Sequence, residues 1–211
     1  MNLQTQRDRI RASITAPSAP WYRIANTAQD RAVVRIYGEV SWLGITAEEF
    51  AADLAKITAP EIEVQINSPG GNVFDGIAIY NALRAHPARI ITRVDGLAAS
   101  IASVIVQAGD ERQMMGGSQM MVHRAWAACI GNDEDMAEMA KLLAKQNDVL
   151  VGIYAQRTGR PAARVRDLLN AETWFTAEEA VREKLADSIG TAGNAPEARF
   201  DPALSLALLD L

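Results

Sequence analysis

Residues 61–96 read EIEVQINSPGGNVFDGIAIYNALRAHPARIITRVDG, and the architecture of the chain can be built outward from this pattern. Residues 61–68 form an apolar run typical of a strand, whereas residues 72–86 repeat apolar side chains at helical spacing until Pro87. A further strand pattern follows at 88–96. Two strands joined by a helix lie parallel in one sheet, so the stretch predicts a βαβ unit with a glycine-rich turn after its first strand.

Strand and helix patterns alternate on both sides of this unit. Upstream, residues 21–26 and 32–40 predict a hairpin or meander, and a capping box at Thr46 and Glu49 predicts a helix that ends before Pro60. Downstream, the predicted elements are a helix at 98–110, a strand at 118–126, a long helix at 132–158, a short helix from Pro161 and a helix from a second capping box at Thr176 and Glu179. The alternation predicts an α/β fold with a mainly parallel sheet.

Length and composition indicate one domain with short extensions. The chain has 211 residues, of which 49% are hydrophobic and 22% are charged. We expect a mobile N-terminal arm at 1–20 and a folded domain at 21–189. The tail at 190–211 has an apolar end, which we expect to dock on this subunit or on another, or to continue into a longer protein.

The charge pattern and the N-terminus exclude several classes of partner. A net charge of −5 without a dense Lys/Arg run argues against nucleic acid. The first 20 residues contain no apolar core of a signal peptide or membrane anchor, so we expect no membrane partner and a cytoplasmic location. The single cysteine, Cys129, cannot form an intrachain disulfide and is interpreted as a small apolar filler.

Ser100, in DGLAASIASV (95–104), is a candidate nucleophile. Gly96 permits a tight turn out of the preceding strand, which would place Ser100 in the first turn of the next helix. There, unpaired N–H groups would stabilise a developing oxyanion. A serine at this position is more often a helix cap, and the segment lacks the G-x-S-x-G pattern of a nucleophile elbow, so the capping alternative stays open.

His123 is the candidate general base. It ends an apolar strand at the edge of the sheet where open α/β folds place catalytic groups, although a partly buried structural histidine is the alternative. The other histidine, His86, lies at a helix end, where a structural role suffices. The turn at 67–71 contains two glycines, which would let an N–H point into the site as an oxyanion donor, unless the segment is a plain turn.

Four motifs together resemble the Clp protease proteolytic subunit family. They are INSPGG (66–71), the Ser100 segment, MMVHRA (120–125) and ETWFTAEEA (172–180), and they lie in the family's order across residues 32–189. Their exact forms are most similar to the Clp-related head-maturation proteases of tailed phages and prophages. The resemblance implies a superhelix of βαβ units, shared with the crotonase fold, from which a long helix protrudes.

The resemblance also implies roles for individual residues. Ser100 matches the family's nucleophile, His123 its general base, and the N–H groups of Gly71 and Ile101 its oxyanion hole. The implied reaction is attack of the serine on a peptide carbonyl, followed by hydrolysis of the acyl-enzyme. No cofactor and no metal are expected for this chemistry.

The third catalytic residue departs from the family pattern. The family's orienting aspartate is replaced by Thr173, whose hydroxyl can hold an imidazole but cannot stabilise its positive charge as a carboxylate does. We therefore expect Thr173 to be a weak orienting residue. Glu172 and Asn170 are the alternatives, each after a small shift, as is a slow enzyme with only a Ser–His pair.

The segment after the histidine departs as well. The family's proline is replaced by Ala125, and the glycines beyond it are replaced by Ala127 and Ala128. In the family this segment aligns the substrate backbone, so we expect peptide binding to differ here.

The residues and the resemblance are compatible with three functions. The first is a serine endopeptidase that forms a homo-oligomeric ring, stacked through the long helix, and processes capsid or scaffold proteins in a bacterial or phage-infected cytoplasm. Partnership with an ATPase unfoldase stays open, since the N-terminal arm does not resemble the family's axial loops. The second is a crotonase-type acyl-CoA hydratase or isomerase, which usually uses carboxylates and not a Ser–His pair. The third is a catalytically weak, ring-forming assembly protein.

Overall fold

The computed structural model describes residues 22–28, 30–40 and 46–190, and for residues 25–28 it describes the backbone alone. The predicted arm at 1–20 lies outside the described residues, and so does the predicted tail except for Gly190. The strands in the described part are β1 (Tyr22–Ala28), β2 (Arg31–Tyr37), β3 (Glu61–Ser68), β4 (Arg89–Ala99), β5 (Glu111–Met115), β6 (Gln119–Val122), β7 (Thr173–Thr176) and β8 (Ser188–Gly190). The helices there are α1 (Ala47–Leu54), α2 (Val73–Ala85), α3 (Ile101–Val106), α4 (Asp133–Thr158), α5 (Ala162–Asn170) and α6 (Ala177–Arg182).

The strands form one mixed sheet in the order β1-β2-β3-β4-β5-β8, and β6 and β7 extend it from the end of β4. The pairs β1–β2 and β6–β7 are antiparallel, and the other pairs are parallel. The prediction of an α/β fold with a mainly parallel sheet is therefore confirmed. The upstream strand pair is confirmed as well.

Strand β4 changes its neighbour partway along its length. Its first half pairs with β5, from Ile91 opposite Glu111 to Val94 opposite Met114. Its last three residues pair with β6, from Leu97 opposite Gln119 to Ala99 opposite Met121. This change of partner brings the end of β6 beside the end of β4.

The core lies between one face of the sheet and the helices. Alternate residues of β2 and β3 are fully buried, as expected for strands that pack one face against helices. These residues are Ala32, Val34, Ile36, Ile62, Val64 and Ile66. All six residues of α3 are buried, which locks the helix that begins next to Ser100 into the centre of the domain.

The structure differs from the sequence predictions in several elements. The helix expected at 98–110 begins only at Ile101, because β4 continues through Ala99. The strand expected at 118–126 ends at Val122. Strands β5, β7 and β8 were not predicted, because each has at most five residues and takes its extended form from a neighbouring strand.

Helix α4 is the long helix that the sequence predicts. A capping box at Asn132 begins it, and Gly159, with a φ of 66°, ends it in the left-handed conformation typical of helix C-termini. Its first half, residues 133–146, contributes no buried residue, so this half projects from the domain. Within the described ranges, no helix is both long enough and apolar enough to cross a bilayer.

Two helical glycines provide a test of how tightly α2 packs on α3. A Cβ at Gly76 would lie 2.1 Å from Cγ1 of Ile101, whereas a Cβ at Gly152 would have no neighbour within 4 Å. We expect Gly76→Ala to lower the free energy of unfolding by about 1–3 kcal/mol through overpacking. The control Gly152→Ala should raise it by about 0.5–1 kcal/mol, because alanine favours a helix. Urea unfolding measures both, and equal effects would contradict the packing.

Candidate active site

Ser100 occupies the turn between β4 and α3 in an unusual backbone conformation. Its φ is 56° and its ψ is −130°, a combination that residues other than glycine rarely adopt and that often marks functional sites. The N–H of Ser100 donates to the carbonyl of Met121 in β6 at 2.9 Å, which holds the turn. The serine side chain makes no capping hydrogen bond, so the capping alternative does not describe it.

His123 follows directly after β6, and its ring faces Ser100. The Nε2 atom of His123 lies 2.7 Å from Oγ of Ser100. Burial lowers the pKa of His123 below its ordinary value of 6.5, and the negative charge of Glu172 opposes this effect in part. A neutral imidazole with its hydrogen on Nδ1 can accept the serine proton at Nε2, so the pair has the geometry of a nucleophile and its base.

None of the three candidates for the third catalytic residue forms a hydrogen bond with the ring of His123 in the described structure. Thr173 begins β7 opposite Val122, and its hydroxyl donates to the carbonyl of Leu168 at 2.8 Å. Asn170 ends α5. Glu172 lies between them with a φ of 47°, and its charge acts on the imidazole. The hydrogen of the Thr173 hydroxyl is therefore used by the Leu168 carbonyl. Glu172 is the carboxylate whose charge affects the His123 ring.

The glycine turn after β3 lies against Ser100. The N–H of Val40 donates to the carbonyl of Gly70 at 2.7 Å, and the N–H of Asn72 donates to the carbonyl of Val40 at 2.8 Å. These two bonds fasten the turn to the segment after β2 without using the N–H of Gly71. Among the described residues, no hydrogen bond occupies that N–H or the N–H of Ile101.

Both glycines of this turn have a positive φ, and neither position has space for a Cβ atom. Gly70 has a φ of 99°, and a Cβ there would lie 2.7 Å from Cβ of Ser100. Gly71 has a φ of 144°, and a Cβ there would lie 1.9 Å from the carbonyl oxygen of Val40. Side chains are excluded at both positions, so the backbone of the turn can approach the serine closely.

An open cleft of about 620 Å³ contains Ser100 and His123. The buried side chains Val104, Leu150 and Tyr154 line part of it. Phe74 and Trp126 also line it and are 54% and 76% exposed. The cleft therefore offers both buried and exposed apolar surface around the serine hydroxyl.

The segment after His123 borders the cleft without forming a strand. Ala125 and Trp126 line the cleft, and residues 123–130 have no regular structure. The N–H of Ala125 donates to Oδ1 of Asn147 in α4 at 2.8 Å. Proline, which the family has at this position, has no N–H and could not form this hydrogen bond.

Sequence reasoning missed the buried polar residues of α4. Asn147, Tyr154 and Thr158 are buried, and with Val151 they form one stripe at helical spacing. The spacing of this stripe in the sequence is a signal for a buried face. It does not reveal that Asn147 and Tyr154 contact the segments that carry His123 and Ser100.

Comparison with known proteins gives consistent matches. A sequence model described as Clp protease matches residues 17–193. The chain is 35% identical to the ATP-dependent Clp protease proteolytic subunit of Deinococcus radiodurans over 61% of this chain and 64% of that protein, slightly less than two thirds of its length. It is 31% identical to the ATP-dependent Clp protease proteolytic subunit 2 of Tropheryma whipplei over 72% of this chain and 91% of that protein. For the Porphyromonas gingivalis subunit, the identity is 27% over 90% and 91%.

The environment of His123 predicts how the ring titrates. We expect the pKa of His123 to lie below 6.5, because burial disfavours the charged ring. Glu172→Gln removes a charge that favours the protonated ring and should lower this pKa further, whereas Thr173→Val should leave it unchanged. Histidine-selective NMR titration measures the three midpoints, and His86→Asn identifies the signal. A midpoint above 6.5, or one that Glu172→Gln raises, would contradict the described environment.

Proposed function

The chain belongs to the Clp protease family of serine peptidases, and from this membership and the geometry of the cleft we propose that it is a serine endopeptidase with Ser100 as nucleophile. The single observation that carries the proposal is the 2.7 Å contact between Oγ of Ser100 and Nε2 of His123. The strained backbone of Ser100 supports it, because such conformations persist where function requires them.

The proposed reaction has two steps. His123 accepts the proton of Ser100 while Oγ attacks the peptide carbonyl, and the carbonyl oxygen becomes an oxyanion facing the N–H groups of Gly71 and Ile101. The imidazolium then gives its proton to the leaving amine as the C–N bond breaks, which leaves an acyl-enzyme. Water, deprotonated by His123, attacks the ester carbonyl and releases the acid, and the proton returns to Ser100.

Glu172 takes the part of the third residue in this proposal. Its charge favours the imidazolium that forms during both steps, whereas Thr173 donates its hydroxyl to Leu168. Glu172 is exposed, so its influence on the ring is screened by water. We therefore propose an enzyme whose chemical step is slower than that of a complete Ser–His–Asp triad.

The proposed substrate is an extended peptide that pairs with the segment after His123. That segment borders the cleft, and an extended chain can add to it by backbone hydrogen bonds. The N–H of Ala125 is committed to Asn147, so pairing would use other backbone groups of the segment. Phe74 and Trp126 would then contact apolar side chains of the peptide.

The proposed biological setting follows from the family and from the motif variants. We propose a homo-oligomeric ring in a bacterial or phage-infected cytoplasm, with the exposed first half of α4 available for contact between rings. The proposed substrates are capsid or scaffold proteins during phage head maturation. The relatives are named ATP-dependent, so an ATPase unfoldase is the alternative source of unfolded substrate.

Labelling of Ser100 separates the candidate functions. A fluorophosphonate should react with the wild type and not with Ser100→Ala, because only a serine with a working base and oxyanion hole is reactive. Peptide hydrolysis should fall at least about 10³-fold in Ser100→Ala and in His123→Ala. An assembled ring that takes no label would favour the assembly protein, and turnover of an acyl-CoA by the wild type would favour the crotonase-type enzyme.

Trp126 provides a test of the proposed peptide path. We expect Trp126→Ala to raise KM for an apolar peptide about fivefold with little change in kcat, because the indole contacts substrate away from the reacting bond. Trp174→Ala is the matched control, since Trp174 is 51% exposed in β7 but does not line the cleft. Steady-state kinetics on both variants measures the effect. Equal KM values for the two would contradict this path.

A further inference from the structure

Two buried hydroxyl groups lie beneath the serine turn, and the proposed reaction does not use either of them. Ser103 in α3 is fully buried, and Tyr154 in α4 is 3% exposed. Oγ of Ser103 lies 2.7 Å from the Tyr154 hydroxyl oxygen and donates to the carbonyl oxygen of Ser100 at 2.5 Å. The N–H of Ser103 donates to the same carbonyl at 3.0 Å.

The Ser100 carbonyl, at the end of this chain of hydrogen bonds, determines which hydroxyl donates to which. The carbonyl oxygen of Ser100 can only accept, so it takes the single hydroxyl hydrogen of Ser103. The Tyr154 hydroxyl must then be the donor to Oγ of Ser103. Burial raises the pKa of Tyr154, and the bond with Ser103 offsets this only in part, so the phenol keeps its hydrogen at neutral pH.

The chain ends on the peptide unit that also carries a proposed oxyanion donor. The carbonyl of Ser100 and the N–H of Ile101 belong to one planar amide group. Two donors on the carbonyl fix the rotation of that plane, and hydrogen bonds in series polarise one another, which makes the N–H at the far side a stronger donor. The low dielectric around Ser103 and Tyr154 strengthens this effect.

We propose that Tyr154 and Ser103 are positioning residues that orient and polarise the Ser100–Ile101 peptide group, so that the N–H of Ile101 stabilises the oxyanion. The proposal rests on the serine peptidase function proposed above. It adds two residues that make no hydrogen bond to His123 in the described structure. The Tyr154 side chain lines the cleft, but its hydroxyl bonds to Ser103, so both hydroxyl groups act through the backbone of the nucleophile. A purely structural pair would stabilise the fold equally without any effect on the transition state.

The effect should appear in kcat and not in KM. An oxyanion exists only in the transition state and in the tetrahedral intermediate, so weakening its donor leaves substrate binding unchanged. Loss of a direct donor lowers kcat about 10²–10³-fold, and we expect an indirect loss to be smaller, about tenfold for Ser103→Ala and about threefold to tenfold for Tyr154→Phe. A peptide aldehyde should show the same loss in Ki, because its adduct carries an oxyanion in the same place.

A double variant tests whether the two residues act in series. If Tyr154 acts only through Ser103, the variant Ser103→Ala/Tyr154→Phe should lose no more kcat than Ser103→Ala alone. Thr158→Val is the matched control, because it removes a buried hydroxyl of the same helix that donates to the carbonyl of Tyr154. This control should keep kcat within about twofold of the wild type.

The experiment measures kcat, KM, aldehyde Ki and melting temperature for the wild type and these variants. Tyr154→Phe keeps the ring in place, so it carries the test if Ser103→Ala fails to fold. Wild-type kcat and Ki in Tyr154→Phe, or a change confined to KM and melting temperature, would overturn the inference and leave the peptidase proposal intact. A wild type that neither hydrolyses peptides nor reacts at Ser100 would overturn both.

Discussion

The register between β4 and β6 is the constraint on which the candidate site depends. Ala99 lies opposite Met121, and the N–H of Ser100, directly after β4, donates to the Met121 carbonyl. Alternation along β6 then buries Val122 and turns His123 towards the serine. A slip of one residue would send the imidazole to the other face of the sheet, so the hydrogen-bonding distance is a property of strand pairing as much as of the two side chains.

The same register explains how an unfavourable backbone conformation persists at Ser100. A residue other than glycine with this φ is strained by an amount of about 1–3 kcal/mol, and the surroundings must hold it in place. The bond to Met121 fixes the turn from one side. The fully buried helix α3 fixes it from the other, and the backbone of Gly70 packs closely against Ser100. The turn at Ser100 is thus strained, tightly packed and the location of the proposed nucleophile.

The sequence carries much of this arrangement, but unevenly. Periodicity predicts the βαβ unit at 61–96 and the long helix, because these elements are long and bury one face. Position in the chain marks Ser100 and His123 as candidates, and the family resemblance assigns them as nucleophile and base. The third catalytic residue is harder to predict, because Glu172 lies in a turn with a φ of 47° and Thr173 begins a four-residue strand, so periodicity does not indicate where either side chain points. The role of Tyr154 cannot be predicted from the sequence, because its hydrogen bond with Ser103 joins residues 51 apart that only tertiary packing brings together.

The exposed first half of α4 has a consequence for the dynamics of the protein. Residues 133–146 contribute no buried side chain, so local hydrogen bonds and the cap at Asn132 hold this half in helical form. Its backbone amides should exchange with solvent through local unfolding long before those of β3 or α3. A partner that binds this half only when it is helical stabilises the helix by its binding free energy. The slowing of hydrogen exchange at these amides would then measure how much of the surface is occupied.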